Sequence, residues 1–143
     1  MEIVRDVPRE QVAGLQAELL AELRRTGHFG HQGIEEVYAS DPCVYIVARV
    51  DGKAIGVATL SALFGNAELH KLFVSAEYRR MGVSRRLFAE ALAFFEEHEY
   101  DDMFAEGISE SGARFLQTMS AKFRCEPFAN GWLFETRRRP SHK

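Results

Sequence analysis

The sequence predicts one mixed α/β domain, a largely antiparallel sheet with helices packed on its faces. Three observations predict it. The chain has 143 residues, which suits one domain, and a chain of that size buries roughly 68% of its unfolded surface on folding. Apolar residues alternate in some segments and recur every third or fourth position in others, so strands and helices are interspersed. Turn dipeptides at Asp51-Gly52, Gly65-Asn66 and Asn130-Gly131 separate short β-rich runs. The expected order is β-α-α-β-β-β-α-β-α-β-β.

Met1 to Val7 alternates apolar and polar residues and reads as a strand. Asp6 and Pro8 then mark a helix start, since proline is tolerated at the first helical position. Val12, Leu15, Leu19 and Leu23 follow at helical spacing, and Gly27 is the stop. Gly27 to Gly33 reads as a loop, and Ile34 to Ala39 as a short second helix. Val44 to Val50, Ala54 to Leu63 and Glu68 to Val74 form an antiparallel meander. From Val83 the period changes: Leu87, Phe88, Ala91, Leu92 and Phe95 mark one face of a long helix. Asp101 to Ile108 returns to strand, and Ser111 to Phe123 to helix. Arg124 to Thr136 closes the domain as a hairpin around Asn130-Gly131. The tail, 137–143, is basic, has no apolar anchor and reads as frayed.

Composition narrows the function classes. Apolar residues make up 46% and charged residues 27%, ordinary values for a globular protein. The formal net charge of −3 gives no general attraction for nucleic acid or an anionic membrane. No apolar run approaches the ~20 residues of a membrane span. The start MEIVRDVPRE lacks the apolar region of a secretory signal, so a cytoplasmic setting is expected. Two cysteines, Cys43 and Cys125, have no metal-type spacing. Nor do the histidines form a convincing ligand pair, so no metal is expected.

One segment carries more chemistry than the rest. A strand ends at Leu72-Phe73-Val74, a basic turn with one glycine follows, and an amphipathic helix begins. Arg79, Arg80, Arg85 and Arg86 crowd this turn. The first N–H groups of a helix have no partner within it, and the helix dipole is positive there. A phosphate or pyrophosphate can accept those bonds, with Gly82 admitting it closely and arginines adding charge-assisted bonds. A plain strand-to-helix turn with a solvated basic patch accounts for the same residues. The sequence lacks both the P-loop pattern of nucleotide hydrolases and the three-glycine dinucleotide fingerprint.

Arg79-Arg80-Met81-Gly82-Val83-Ser84 resembles the signature of the GNAT family of N-acetyltransferases. That signature is arginine or glutamine, two variable residues, glycine, one variable residue, then glycine or alanine. Ser84 departs from it, though serine is also small. The order of elements resembles the GNAT fold over nearly the whole chain, taken as residues 1–136. The resemblance implies acetyl-CoA as acyl donor, its pyrophosphate held by backbone N–H groups from Arg80, Met81, Gly82, Val83, Ser84 and Arg85. The side chains of Arg79, Arg80 and Arg85 are expected to assist. It also implies that the strand before the turn splays from its neighbour and pairs, through Leu72, Phe73 and Val74, with the pantetheine arm. The Leu72 N–H then lies near the thioester carbonyl and can stabilise the oxyanion.

The implied chemistry is direct attack by an amine on the thioester, and an ammonium must first lose a proton. Glu68 is the leading general base, eleven residues before Arg79, as a catalytic glutamate lies in similar acetyltransferases. Strand alternation puts His70 on the same face, where it can relay the proton directly or through water. Solvent-facing side chains beside Lys71 are the plainer reading of both. The family's pattern with an asparagine at its head and a thiolate-protonating tyrosine at its end corresponds to Glu110 to Gln117. Gln117 replaces the tyrosine, which leaves the general acid unassigned.

The acceptor pocket implied by the resemblance is built from Phe29 to Tyr38 and Phe128 to Trp132, with Glu35, Glu36 and Glu106 as acids near a cationic amine. Small-molecule and protein amines both remain open as acceptors. The apolar final hairpin is a candidate surface for a homodimer. An N-acetyltransferase is therefore the first expectation, and a non-catalytic acyl-CoA-binding regulatory module the second. Nucleic-acid binding through Arg79 to Arg86 and the Arg137 to Arg139 tail is the third, opposed by the acidic balance and the lack of aromatics between the basic residues.

Overall fold

A computed structural model of the chain describes residues 1–28, 36–62, 65–107 and 109–136. In chain order its elements are β1 (Glu2–Val4), α1 (Ala13–Thr26), β2 (Cys43–Val50), β3 (Lys53–Ser61), β4 (Glu68–Val74), α2 (Val83–Glu97), β5 (Asp102–Ala105), α3 (Glu110–Ser120), β6 (Cys125–Phe128) and β7 (Gly131–Glu135). The strands form one seven-stranded sheet in the order β1-β2-β3-β4-β5-β7-β6. Neighbours pair antiparallel except β4 and β5, which run parallel.

Both faces of the meander are covered, and alternation along β2 shows how. Tyr45 and Val47 pack with Leu15, Leu19 and Leu23 of α1, together with Val57 of β3 and Phe73 of β4. Ile46 and Ala48 point the other way, toward Leu87, Phe88, Ala91 and Phe95 of α2. Successive side chains leave a strand on opposite faces, so one strand feeds two apolar layers. Phe88 is fully buried and meets Phe115, Phe123 and Phe134 at ring-centroid distances of 5.8, 5.4 and 4.8 Å. Aromatic pairs of this kind add about 0.5–1.5 kcal/mol each beyond area burial. They fix α3 against α2 and so set the width of the cleft described below.

Several expectations need adjustment. The first helix begins with a 3-10 turn, Arg9–Val12, before α1 proper, which ends at Gly27 as expected. The short helix expected over Ile34 to Ala39 is absent from its described part. Ile34 and Glu35 lie outside the described residues, and Glu36 to Ala39 are irregular. The cause is local: Val37 N–H donates to Gln16 Oε1 at 2.6 Å and Val37 C=O accepts from Thr59 Oγ1 at 2.5 Å. Side chains satisfy both backbone groups, so no helical turn is required to do so. The last hairpin turns at Ala129-Asn130, one residue before the expected dipeptide, and Ala129 takes φ +52°. Gly131 serves closeness instead, since a Cβ there would lie 2.3 Å from the Ala105 carbonyl oxygen on β5. Leu63, Ile108 and the basic tail lie outside the described residues.

Candidate active site

The sheet parts between β4 and β5. Their ladder holds only Glu68 opposite Phe104 and Leu69 opposite Ala105, although β4 continues to Val74. Orientation along the free stretch follows from one bond. Ser75 N–H donates to Ile55 C=O at 2.8 Å, so position 75 faces β3. Antiparallel pairing alternates, hence Phe73 also faces β3, while Leu72 and Val74 direct their N–H and C=O groups into the gap. A strand edge with groups exposed in this way accepts another extended chain.

At the far end of β4 the chain passes through a 3-10 turn, Ala76–Tyr78, and the basic turn into α2. Arg80 and Gly82 take φ of +65° and +79°. A Cβ at Gly82 would meet nothing within 4 Å, so glycine is required there by conformation rather than by crowding. Gly82 is the N-cap of α2, and its carbonyl accepts the first helical bond, from Arg86 N–H at 3.1 Å. Among the described residues, no side chain caps this end. The N–H groups of Val83, Ser84 and Arg85 have no partner within the helix, and all three residues line an adjoining cleft. The cleft, of about 270 Å³, is lined on one side by Arg80, Gly82, Ser84 and Arg85, and on the other by Phe115, Thr118 and Met119. Met81 stands 67% exposed at the turn.

The arginines of the turn differ. Arg79 Nε donates to Val74 C=O at 2.9 Å, and its terminal nitrogens donate to the Glu22 carboxylate of α1 at 2.6 and 3.2 Å. Among the described residues, the side chains of Arg80 and Arg85 have no hydrogen bond or ion pair. A second α1 carboxylate, Glu18, accepts from the Ser75 hydroxyl and from Ala76 N–H, each at 2.9 Å. Sequence reasoning missed Glu18 and Glu22. Their spacing of four residues showed a shared helix face, but nothing in the chain told which segment that face would meet.

Glu68 and His70 are both exposed on β4, with Leu69 buried between them. The pairing of β3 with β4 jumps from Leu60–Leu69 to Thr59–Lys71, which leaves His70 without an opposite residue. This is a β-bulge, a device that re-aims side chains beside functional sites. Past the bulge, Lys71 and Leu72 are half-buried, and burial lowers the Lys71 ammonium below its ordinary pKa. Alternation put Glu68 and His70 on one face but gave no sign of the bulge.

Of the segments expected to form an acceptor pocket, 29–35 lie outside the described residues. Tyr38 carries the Arg9 guanidinium over its ring at 4.1 Å. Phe128 is 55% exposed and meets Phe104 edge-on at 6.0 Å. Trp132 packs against the main core. Glu36 and Glu106 are exposed. Ser109 caps α3 by accepting from Gly112 N–H at 3.0 Å, and Gln117 on that helix is exposed.

Comparison with known proteins places this geometry. An acetyltransferase of the GNAT family from Staphylococcus aureus Mu50 superposes with a TM-score of 0.66 at 15% identity, covering 94% of this chain and 98% of its own. Aminoglycoside 6′-acetyltransferase type Ii does so with a TM-score of 0.66 at 18% identity, over 98% and 100%. PaiA N-acetyltransferase from Thermoplasma acidophilum, in complex with coenzyme A, gives 0.63 at 14% identity over 94% and 98%. At these identities the likeness is one of fold. No curated protein matches the sequence. The family model described as Acetyltransferase (GNAT) family matches residues 15–114. That span runs from α1 through the parted strands and the basic turn into α3, and the chain accordingly belongs to the GNAT acetyltransferase family.

Proposed function

We propose that this protein is an N-acetyltransferase that moves an acetyl group from acetyl-CoA to a primary amine. The observation that carries the reading is the uncapped, basic start of α2, opening into a cleft beside a strand edge with unpaired N–H groups. The N–H groups from Arg80 to Arg85, with the Arg80 and Arg85 side chains, suit a pyrophosphate. The free edge of β4 suits the amide-bearing pantetheine arm, and Leu72 N–H suits the oxyanion. The PaiA enzyme with the same fold was solved with coenzyme A bound, which supports this use of the cleft.

Glu68, directly or through His70 and water, takes a proton from the acceptor ammonium. The freed amine nitrogen attacks the thioester carbonyl carbon. As the new C–N bond forms, the oxyanion rests on Leu72 N–H, the attacking nitrogen gives its second proton to water, and collapse of the oxyanion breaks the C–S bond. The thiolate takes its proton from water, since Gln117 has no acidic proton to give. The acceptor is a small molecule or a protein amine. Among proteins with this fold are aminoglycoside acetyltransferases, which supports a small polycationic amine as the first class to screen.

Gln117 favours a second reading, a regulatory module that binds acyl-CoA without transfer. Calorimetric titration with acetyl-CoA, followed by an assay for free thiol over a panel of amines, separates the two. One-site binding with amine-dependent thiol release supports the enzyme. Binding without release against every amine supports the module, and no binding at all removes both.

A further inference from the structure

Arg79 opens the family signature and lines the cleft, yet its donors point into the protein. Nε satisfies the Val74 carbonyl at 2.9 Å, and that carbonyl is one of the β4 groups directed into the gap. The other two nitrogens are taken by Glu22, and the guanidinium lies 5.4 Å from the centre of the Phe73 ring. The residue that follows, Arg80, holds φ +65°, a conformation that a non-glycine residue keeps only where its surroundings impose it. Glu18 fixes the preceding part of the same connection through Ser75 and Ala76. Two carboxylates one helical turn apart on α1 thus grip both ends of the segment that leads into the anion-binding turn.

We infer that Arg79 is a positioning residue rather than a phosphate ligand, and that with Glu22 of α1 it holds the β4–α2 turn in the shape that receives the CoA pyrophosphate. This rests on the reading of that turn as the pyrophosphate site. The Arg79–Glu22 pair is half-exposed, with side-chain exposures of 40% and 24%. Pairs so placed add little to global stability, so its effect belongs in the local geometry of the turn and in ligand affinity. A negative Glu22 beside a bound pyrophosphate is an electrostatic cost if it does nothing else. The two functions of Arg79 therefore predict opposite results when that carboxylate is removed.

The test is calorimetric titration of CoA into the wild-type chain, Glu22→Gln, Arg79→Met and the double variant, at one ionic strength. A positioning pair gives single variants that each bind CoA about tenfold more weakly and a double variant no weaker than Arg79→Met, the non-additivity of residues that act as one unit. Melting temperatures stay near wild type, and turnover at saturating acetyl-CoA is retained, so the loss appears in KM rather than kcat. If Arg79 contacts phosphate directly, Glu22→Gln releases it and binds CoA as tightly as wild type or more tightly, and that result overturns the inference. Arg79→Lys is the control should Arg79→Met fold poorly. It keeps the charge but loses the forked pairing, so wild-type binding overturns positioning, and positioning is supported only where Arg79→Lys and Glu22→Gln both weaken binding. A wild-type chain that binds no CoA removes the site reading itself, whereas wild-type binding matched by Glu22→Gln removes only the pairing.

Discussion

Glu68 and His70 stand exposed on either side of the point where β4 leaves β5. On the proposed reading, a base at that point reaches an amine approaching the gap without disturbing the turn proposed to hold the donor. Glu68→Gln is therefore expected to lower kcat about a hundredfold while leaving the KM for acetyl-CoA nearly unchanged. Steady-state kinetics with the acceptor identified by screening checks this, and an unchanged kcat would remove Glu68 as the base. At this scale the sequence was legible where a residue answers to backbone geometry or to a known motif. Gly82 was singled out from the motif, and its φ of +79° gives the physical reason. Gly131 was assigned to a turn, because the sequence shows a turn dipeptide but not the approach of Ala105. Glu18 and Glu22 were illegible because their partners lie 57 or more positions away, and no local pattern encodes such a meeting.

Among the elements, the strands and helices with a continuous apolar period were recoverable to within a few residues. α2 starts at Val83 as its spacing indicates, and the meander pairs as its turns require. The segment at Glu36 to Ala39 was not, since its backbone is satisfied by Gln16 and Thr59. One pairing is electrostatically poor. Asp102 of β5 lies directly opposite Glu135 of β7, and like charges facing across strands destabilise a sheet. Desolvation and the neighbouring Asp101, Glu135 and Glu126 hold the Asp102 carboxyl above its ordinary pKa. The sign follows: a carboxyl whose folded pKa exceeds its unfolded value of 3.8 costs stability as pH rises through that interval, and the cost persists above it. Asp102→Asn is expected to raise the melting temperature by about 1–3 °C at pH 7 and to give no gain near pH 3. Thermal unfolding at the two pH values checks it, and an equal gain at both would assign the effect to something other than charge.

On the scale of the whole molecule, the fold class and the place of the basic turn were legible, because layers, order and one motif are all carried by local sequence. The acceptor was not, since an acceptor pocket depends on how distant segments meet, and 29–35, which the resemblance assigns to it, lie outside the described residues. No helix among the described residues is long and apolar enough to cross a membrane. What unites the molecule is uneven. Four strands lie on one side of the gap, closed by β4, and three on the other, opened by β5. The backbone bridge between them is two residue pairs wide. Beyond that bridge, Met103, Ala105 and Phe134 pack in one apolar cluster with Leu87, Phe88 and Ala91 of α2. The domain is in effect an arch whose halves lean on a greasy joint, and on the proposed reading an extended ligand seated between them is its keystone. Such a ligand adds rungs that the chain itself does not supply. Saturating acetyl-CoA should then slow amide hydrogen exchange in β5 and β7 as well as in β4. Protection confined to the turn and the first residues of α2 would mean that the arch stands equally firm without its keystone.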